Sequence, residues 1–431
     1  MPTISARRGR ILGLGPQPWS ITQDPPRTLT FLILLVALPL FGQSFHYVID
    51  LPPTYYLSKA WPILTLPLAI YALVTVRLPW GWLYGVLIAY VLGLTPLLSM
   101  IYLGNGLVDA LVTTAKSLPF LYYFAAAGLL ALLQPSQDQL RRALVGLGIG
   151  TFLLMAFLWL VVPATAYRID AAESKLFLYE TERGYRIFMP MFFGILTMFY
   201  LARRLVMRRD LLAGLGVLIG FVLLILIFKQ RTVILSVALT IGWIMFRSSR
   251  GWVRALLLAG GVAAAIAVGI LVFGPLLARV EAALGASLSI RQASIRLAVD
   301  YIQGHPLVMM FGAGSITRLS QTTLANLLGY AHFYLADIGW LGIVFEYGLT
   351  GAALIIAVYL ATLRQASITP PRDEPLVRAM GDYVIYQILT SAVQSLVFTP
   401  GEVALLMALV VYWPRALPDH AHHRFSLTTR C

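Results

Sequence analysis

Residues 211–231 read LLAGLGVLIGFVLLILIFKQR, and residues 232–246 continue as TVILSVALTIGWIMF. The first run carries no charge, and Lys229 and Arg231 then stand in a short turn before the second apolar run. A helix that crosses a bilayer needs about 20 predominantly apolar residues. This stretch therefore predicts two antiparallel membrane-spanning helices joined by a tight basic turn.

The rest of the chain has the same character. Of its 431 residues, 59% are hydrophobic and 12% are charged, whereas soluble domains carry about 25% charged residues. Its apolar runs predict an all-α polytopic membrane protein with about twelve transmembrane helices. The runs are residues 28–45, 60–76, 81–101, 108–133, 143–162, 187–202, 211–228, 232–246, 255–276, 335–363, 383–398 and 403–413.

The net charge of +14 would suggest nucleic-acid binding in a soluble protein, but here the arginines collect in alternate connections between apolar runs. The positive-inside rule assigns those connections to the cytoplasm, where anionic lipids attract them. We therefore expect the lipid bilayer, and no nucleic acid, as the partner of these charges. The one cysteine, Cys431, excludes a disulfide framework.

This topology divides the chain into five parts. It predicts a cytoplasmic tail, nine helices with an outer loop at 163–186, a large outer loop with an amphipathic helix, three further helices, and a second cytoplasmic tail. The corresponding ranges are residues 1–27, 28–277, 278–334, 335–414 and 415–431.

Basic residues from distant parts of the chain fall on the outer face in this topology. A guanidinium is always charged and offers a planar pair of donors to phosphate oxygens, so such a cluster could hold a diphosphate without a metal ion. The alternative is that these residues are interfacial anchors or partners of Glu180, Glu182 and Asp300. Asp300 follows Arg296 by four positions, so the two could pair on one face of a helix. The cluster comprises Arg183, Arg186, Lys229, Arg231, Arg291 and Arg296.

His332 stands just before an apolar run, in GYAHFYLADIGWLG. Its imidazole titrates near neutrality and could accept a proton from an attacking hydroxyl, or it could be an interfacial histidine bonded to backbone. The glycines of Gly312–Gly314 fit a phosphate cradle or a tight turn. Lys116 lies within an apolar run, which makes it a functional candidate or a side chain that extends to the interface.

Metal and cofactor motifs are absent from the sequence. It contains no Asp-x-Asp pair in an outer loop, no Walker motif, no His-Glu-x-x-His and no cysteine cluster. The sequence therefore predicts neither a metal site nor a cofactor.

Three segments resemble the O-antigen ligase and polymerase superfamily. They are RQASIRLAVDYIQGHPLVMMFGAGS at 291–315, AHFYLADIGWLGIVFEYGLTG at 331–351 and KQRTVILSVALTIGWIMF at 229–246. The family pattern has an arginine-bearing loop helix, a His-Pro-Leu and Gly-x-Gly turn, and a histidine motif before a span. Here Phe333 stands where the family has asparagine, and Asp337 stands where it has glutamate.

The resemblance implies a GT-C-like glycosyltransferase in the bacterial inner membrane, with its active site facing the periplasm. Donor and acceptor would be glycans on undecaprenyl diphosphate, and the resemblance also allows a chain-length regulator protein as a partner. His332 would activate the acceptor hydroxyl in an inverting, metal-independent transfer. The diphosphate would be held by Arg186, Arg231, Arg291 and Arg296, supported by Arg183, Lys229, Asp300 and Asp337.

Two other functions remain open at this point. A ligase of the same superfamily would move the glycan onto lipid A–core, and it differs from a polymerase only in its acceptor. A glycolipid flippase or other transporter would fit twelve spans with both ends inside. Against a transporter, the sequence has no inverted repeat and no paired broken helices.

Overall fold

The part of the chain that the structure describes contains fourteen α-helical segments. This computed structural model describes residues 27–169, 174, 176–180, 183–252, 254–255, 286–315, 324–330, 333, 335–371, 373–395 and 399–416. In chain order the helices are α1 (Arg27–Phe41), α2 (Pro52–Thr75), α3 (Gly81–Leu103), α4 (Leu107–Leu133), α5 (Gln137–Val161), α6 (Phe192–Arg208), α7 (Leu211–Phe228), α8 (Arg231–Ser248), α9 (Ala286–Gly304), α10 (Pro306–Phe311), α11 (Leu324–Leu328), α12 (Trp340–Ile368), α13 (Pro375–Thr390) and α14 (Pro400–Tyr412).

Seven helices among the described residues are long and apolar enough to cross a membrane, namely α2, α3, α4, α5, α7, α8 and α12. Their outward faces carry exposed leucine, isoleucine and valine side chains, as expected where lipid rather than water covers a protein. The chain is therefore mostly helical and consistent with a multi-pass membrane protein.

The sequence predicts about twelve spans, and five of the predicted runs do not correspond to one of these seven helices. Four coincide with shorter helices: α1, α6, α13 and α14 have 15, 17, 16 and 13 residues. The fifth, residues 255–276, lies almost wholly outside the described residues. Helix α13 begins eight residues before the predicted run, at Pro375, where the Glu374 side chain accepts the Leu376 N–H as a cap.

An ion pair explains why α13 extends so far. Its residue Asp382 receives hydrogen bonds from Nε and one terminal nitrogen of Arg203 in α6, both at 2.6 Å. This two-point contact compensates a carboxylate that is almost fully buried. A charge that would end an apolar run in the sequence is thus accommodated inside the bundle.

The core is built around α6 and α14. Helix α6 packs against α5, α7, α8 and α13, and α14 packs against α4 and α12. Every residue of α14 except Glu402 is buried. Because other helices enclose both of them, their apolar side chains are covered by protein although each helix is shorter than a membrane span.

The outer loop predicted at 163–186 contains the one departure from helix-only structure among the described residues. Strands β1 (Phe177–Glu180) and β2 (Gly184–Ile187) pair in antiparallel register, with Leu178 opposite Arg186. Gly184 has φ +67°, a left-handed conformation that glycine adopts without strain. Asp50 fixes the hairpin to the segment after α1 by accepting the Leu176 N–H at 3.0 Å.

Helix α12 is broken at Gly348, which has φ +67° and ψ −179°. The break removes the helical partners of the preceding carbonyls, and neighbouring groups replace them. Ala313 and Gly314 donate their N–H groups to the carbonyls of Phe345 and Glu346, at 2.8 and 3.1 Å. The Tyr90 hydroxyl donates to the Tyr347 carbonyl at 2.8 Å.

Candidate functional site

The hairpin carries the most buried of the predicted basic residues. Arg186 is 8% exposed, and one terminal nitrogen of its guanidinium lies 2.5 Å from Glu180 Oε1. Its Nε is buried and has no hydrogen-bond partner in the described part of the chain. Burial lowers the pKa of Arg186; Glu180 opposes this shift and the neighbouring positive charge of Arg183 adds to it.

Lys229 joins the hairpin to the turn between α7 and α8. It has φ +55° at the end of α7, and its Nζ donates to the backbone carbonyl of Arg183 at 3.0 Å. Arg183 in turn places its Nε 3.3 Å from Glu180 Oε2. Arg183 and Arg186 therefore share the Glu180 carboxylate, and Lys229 is held beside them. Arg231 begins α8 two residues after Lys229 and has an exposed side chain.

A row of polar contacts leads from this turn toward the segment before α12. Gln230 donates to the Gln394 side-chain oxygen, which Thr232 also approaches at 3.4 Å. The next residue, Ser395, donates its N–H to the Ala336 carbonyl at 2.8 Å. Gln394 lies in the turn after α13, and this position lets it reach Gln230 and Thr232 at the start of α8.

Asp337 lies at the far end of that row, within electrostatic reach of Arg291. Burial raises the pKa of the Asp337 carboxyl, which lies ahead of α12, and the positive charge of Arg291 partly offsets the shift. Arg291 lies two helical turns before the buried Ala298 and is half-buried on the inner side of α9. The row of contacts from Gln230 to Gln394, and from Ser395 to Ala336, thus ends one residue before Asp337.

Arg296 and Asp300 do not share this location. Both side chains are exposed on α9, on the opposite side from the buried stripe of Ser294, Ala298 and Ile302. No ion pair joins them to each other, although they are four residues apart. Arg296 and Arg291 differ by five positions, about 140° around a helix, so they do not face the same way.

His332 lies outside the residues that the structure describes. Its neighbour Phe333 is 5% exposed and packs with Ala298, Ile302 and Phe345 in a small apolar cluster. The Phe333 and Phe345 rings are 6.1 Å apart. Phe333, one of the two residues at which the sequence departs from the family pattern, thus packs as an apolar anchor between α9 and α12.

The Gly312–Gly314 segment is a close-packed turn. Gly312 and Gly314 have φ +90° and +95°, and a side chain at either would overlap the backbone at Glu346 or Ser99. The amides of Ala313 and Gly314 are already bound to carbonyls of α12. They are not available to cradle a phosphate.

The structure contains a charged pair, Lys116 and Glu346, that the sequence analysis did not predict. Lys116 in α4 binds Glu346 in α12, and Ser315 donates a hydrogen bond to the same carboxylate. The Glu346 side chain is fully buried. Opposite charges in two apolar runs were the available signal, since a buried charge requires a partner.

The described residues contain no group of three or more His, Cys, Asp or Glu side chains that could hold a metal ion. In comparisons with known proteins, no family model matches the chain, and no curated protein matches it.

Proposed function

We propose that this protein is a polysaccharide polymerase that transfers a glycan from undecaprenyl diphosphate to the next lipid-linked repeat unit. The reaction would take place at the periplasmic face of the bacterial inner membrane. It would be metal-independent and would invert the anomeric centre. The proposal includes the finer topology of about twelve spans and a GT-C-like arrangement, with the hairpin of 177–187 on the outer side.

The buried guanidinium of Arg186 carries the proposal. Arg183 and Arg186 share one described carboxylate, Glu180, and Lys229 joins them through the Arg183 backbone carbonyl, so three cations lie close together. The Nε of Arg186 has no hydrogen-bond partner within the described residues although it is shielded from solvent. A buried unpaired donor on a charged group costs free energy, and a diphosphate oxygen would remove that cost.

Fixed cations also suit the chemistry of a diphosphate leaving group. Negative charge grows on the diphosphate as the bond to the anomeric carbon breaks, and preorganised donors stabilise that charge without reorganisation. Arg231, which begins α8, and Arg291, half-buried on α9, would extend the contact along the diphosphate. In this scheme His332 accepts the proton of the attacking hydroxyl.

Reconstitution in liposomes tests the proposal. Lipid-linked repeat units alone should yield a ladder of polymer sizes, and the ladder should persist in EDTA because no metal is required. Product that forms only when lipid A–core is added would instead identify a ligase. Loss of activity in EDTA, with recovery on adding a divalent cation, would contradict the role given to the arginines.

A glycolipid transporter has one observation in its favour. The Lys116–Glu346 pair lies inside two helices that are apolar enough to span a membrane, and intramembrane charges often mark transport pathways. Ser315 also binds this carboxylate, which ties the pair to the Gly312–Gly314 turn and favours a structural role. Movement of fluorescent lipid-linked glycan across liposomes, without polymer formation, would support the transporter.

A further inference from the structure

Helix α8 carries a row of exposed side chains that changes from apolar to cationic along its length. The row, called here the α8 stripe, consists of Leu235, Leu239, Trp243 and Arg247, all of them exposed. They follow one another at intervals of four residues, and residues four apart lie on one face of a helix. Because α8 begins at the turn that Lys229 joins to the hairpin, the cationic end of the stripe lies at the end of α8 away from the hairpin.

Two guanidinium groups and two aromatic rings form a continuous stack at that end. The Arg247 guanidinium carbon lies 5.7 Å from the centre of the Trp243 ring. The Trp243 and Phe246 rings are stacked with their centres 6.0 Å apart. The Arg254 guanidinium carbon lies 4.6 Å from the centre of the Phe246 ring. Such contacts attract a cation to the face of a ring but supply no counter-ion, so the stack fixes two positive charges without neutralising them.

A turn after α8 brings Arg254 to this stack. In an uninterrupted helix, Arg254 would lie about 12 Å beyond Phe246 along the axis. Gly251 instead has φ +60°, a left-handed conformation, and its carbonyl accepts the Ala255 N–H at 3.3 Å. The side chains of Arg250, Trp252 and Arg254 in this segment are all exposed.

The positive charge at this end of α8 has no local counter-charge. The sequence contains no aspartate or glutamate between residues 211 and 280. Within the described part of the chain, no ion pair joins the three exposed arginines at this end to a carboxylate. The buried Asp382 carboxylate is within electrostatic reach of Arg247, but Arg203 already donates to both of its oxygens. An anionic ligand would therefore supply the missing charge.

The length of the α8 stripe matches one leaflet of a bilayer. Leu235 and Arg247 are twelve positions apart, which corresponds to about 18 Å along a helix axis. The hydrocarbon core of a bilayer is about 30 Å thick, so one leaflet contributes about 15 Å. Acyl chains can therefore lie against the leucines while a headgroup reaches the arginines. Trp243 stands between the two regions, and tryptophan is enriched at the boundary between hydrocarbon and headgroups.

These features select an anionic phospholipid as the ligand. Arginine presents paired donors to phosphate oxygens, whereas a phosphate without acyl chains would leave the leucines of the stripe uncovered. Phosphatidylcholine has the chains and the phosphate but no net charge, and its ammonium group would be repelled by the arginines.

We propose that the α8 stripe and the stack at its end bind one anionic phospholipid. The lipid phosphate contacts Arg247 and Arg254, and an acyl chain lies along Leu235 and Leu239. This is one site of defined geometry, distinct from the general attraction between basic loops and a charged membrane surface. It lies away from the hairpin and does not depend on the proposed polymerase activity.

Native mass spectrometry of the purified full-length protein, titrated with lipid in a neutral detergent, tests the proposal. Dioleoyl phosphatidylglycerol should bind more tightly than dioleoyl phosphatidylcholine, which has the same acyl chains. The double variant Arg247→Gln, Arg254→Gln should bind phosphatidylglycerol about tenfold or more weakly, because both phosphate contacts are lost. Equal binding of the two lipids by the wild type, or equal binding of phosphatidylglycerol by wild type and variant, would overturn the site.

The matched control is the double variant Arg142→Gln, Arg208→Gln. Both arginines are exposed, and they lie near the start of α5 and at the end of α6. Since α5 ends and α6 begins next to the hairpin segment in the chain, this control removes the same charge from the same side of the protein. It should bind phosphatidylglycerol as the wild type does. Equal weakening in both double variants would show a general charge effect and refute a defined site.

Two further measurements keep the proposal testable. Trp243→Leu preserves an apolar side chain but removes one ring of the stack, and it should weaken phosphatidylglycerol binding by about threefold or more. This variant decides the matter if the double arginine variant does not fold. Inorganic phosphate at millimolar concentration should not displace the lipid, because it cannot cover the apolar part of the stripe. Displacement by phosphate would identify a site for soluble anions and overturn the lipid site.

Discussion

Lys116 Nζ lies 2.7 Å from Oε1 and 2.8 Å from Oε2 of Glu346, whose side chain is fully buried. This pair joins α4 to the turn before the break in α12. Lys116→Met should lower the free energy of unfolding by about 3 kcal/mol or more, because it leaves a buried carboxylate without its counter-ion. Thermal unfolding in detergent measures the effect.

The double variant Lys116→Met, Glu346→Gln is the control for that prediction. Removing both charges should restore most of the lost stability, since the cost comes from the isolated carboxylate rather than from the missing contact. If the double variant is as unstable as the single one, the ion pair is not the cause.

Gly312→Ala should destabilise the protein by more than about 3 kcal/mol. The residue has φ +90°, and a methyl group would overlap the Glu346 carbonyl that binds the Gly314 amide. Gly304→Ala, at the exposed end of α9 with no atom within 4 Å of the added methyl, should change stability by less than about 0.5 kcal/mol. Similar unfolding temperatures for the two variants would contradict the close-packed turn.

His46 should make the protein less stable in acid. Burial lowers the pKa of His46 to about 3, and the positive charge of Lys59, whose Nζ is 2.9 Å from Nε2, contributes further. Because the folded-state pKa lies below the unfolded value, this stability is present above pH 6.5 and is lost as the pH falls toward 3. Acidification from pH 7 to 5 should cost about 2 kcal/mol through this residue.

His46→Gln should remove that part of the pH dependence while keeping a hydrogen-bond acceptor near Lys59. Unfolding temperatures of both proteins at pH 7 and pH 5, in the same detergent, give the comparison. A wild type and variant with equal losses on acidification would show that His46 is not protonated on unfolding.

Arg186→Lys should weaken binding of undecaprenyl diphosphate by about tenfold or more, because an ammonium lacks the planar pair of donors. Glu180→Gln should strengthen binding, since it removes the carboxylate that now occupies one guanidinium nitrogen. Retention of radiolabelled undecaprenyl diphosphate on immobilised protein measures both. Equal retention by the wild type and both variants would make this cluster a purely structural one.

His332→Ala should abolish glycan transfer while leaving membrane insertion and undecaprenyl diphosphate retention intact. The physical reason is the loss of the group that takes the acceptor proton. Gel profiles of polymer from cells carrying the variant provide the readout. Polymer of normal length and amount would exclude His332 as the base.

The sequence predicts the fold best where charge and apolar character are separated along the chain. Helix α7 occupies residues 211–228, as predicted, because basic or polar residues bound one uninterrupted apolar run. Helix α13 begins earlier than the predicted apolar run because the charge of Asp382 marks the end of that run in the sequence. In the structure Arg203 neutralises this charge from another helix. Such a pairing between distant positions leaves no local pattern in the sequence.

The candidate site was predictable in part for the same reason. Topology predicts only that Arg183, Arg186 and Lys229 lie on one membrane face, and the structure shows that they are also close together. Topology does not determine how α9 is rotated about its own axis, so it could not predict that Arg296 is exposed. The hairpin of 177–187 was also missed, because two four-residue strands are too short to give a clear alternation.

Helix α14 has a consequence for how this protein is made. The helices against which it packs, among them α1, α4, α12 and α13, all precede it in the chain. During synthesis the ribosome therefore delivers α14 after every described helix that it packs against. The packed core around α14 is therefore complete only after translation has passed Tyr412.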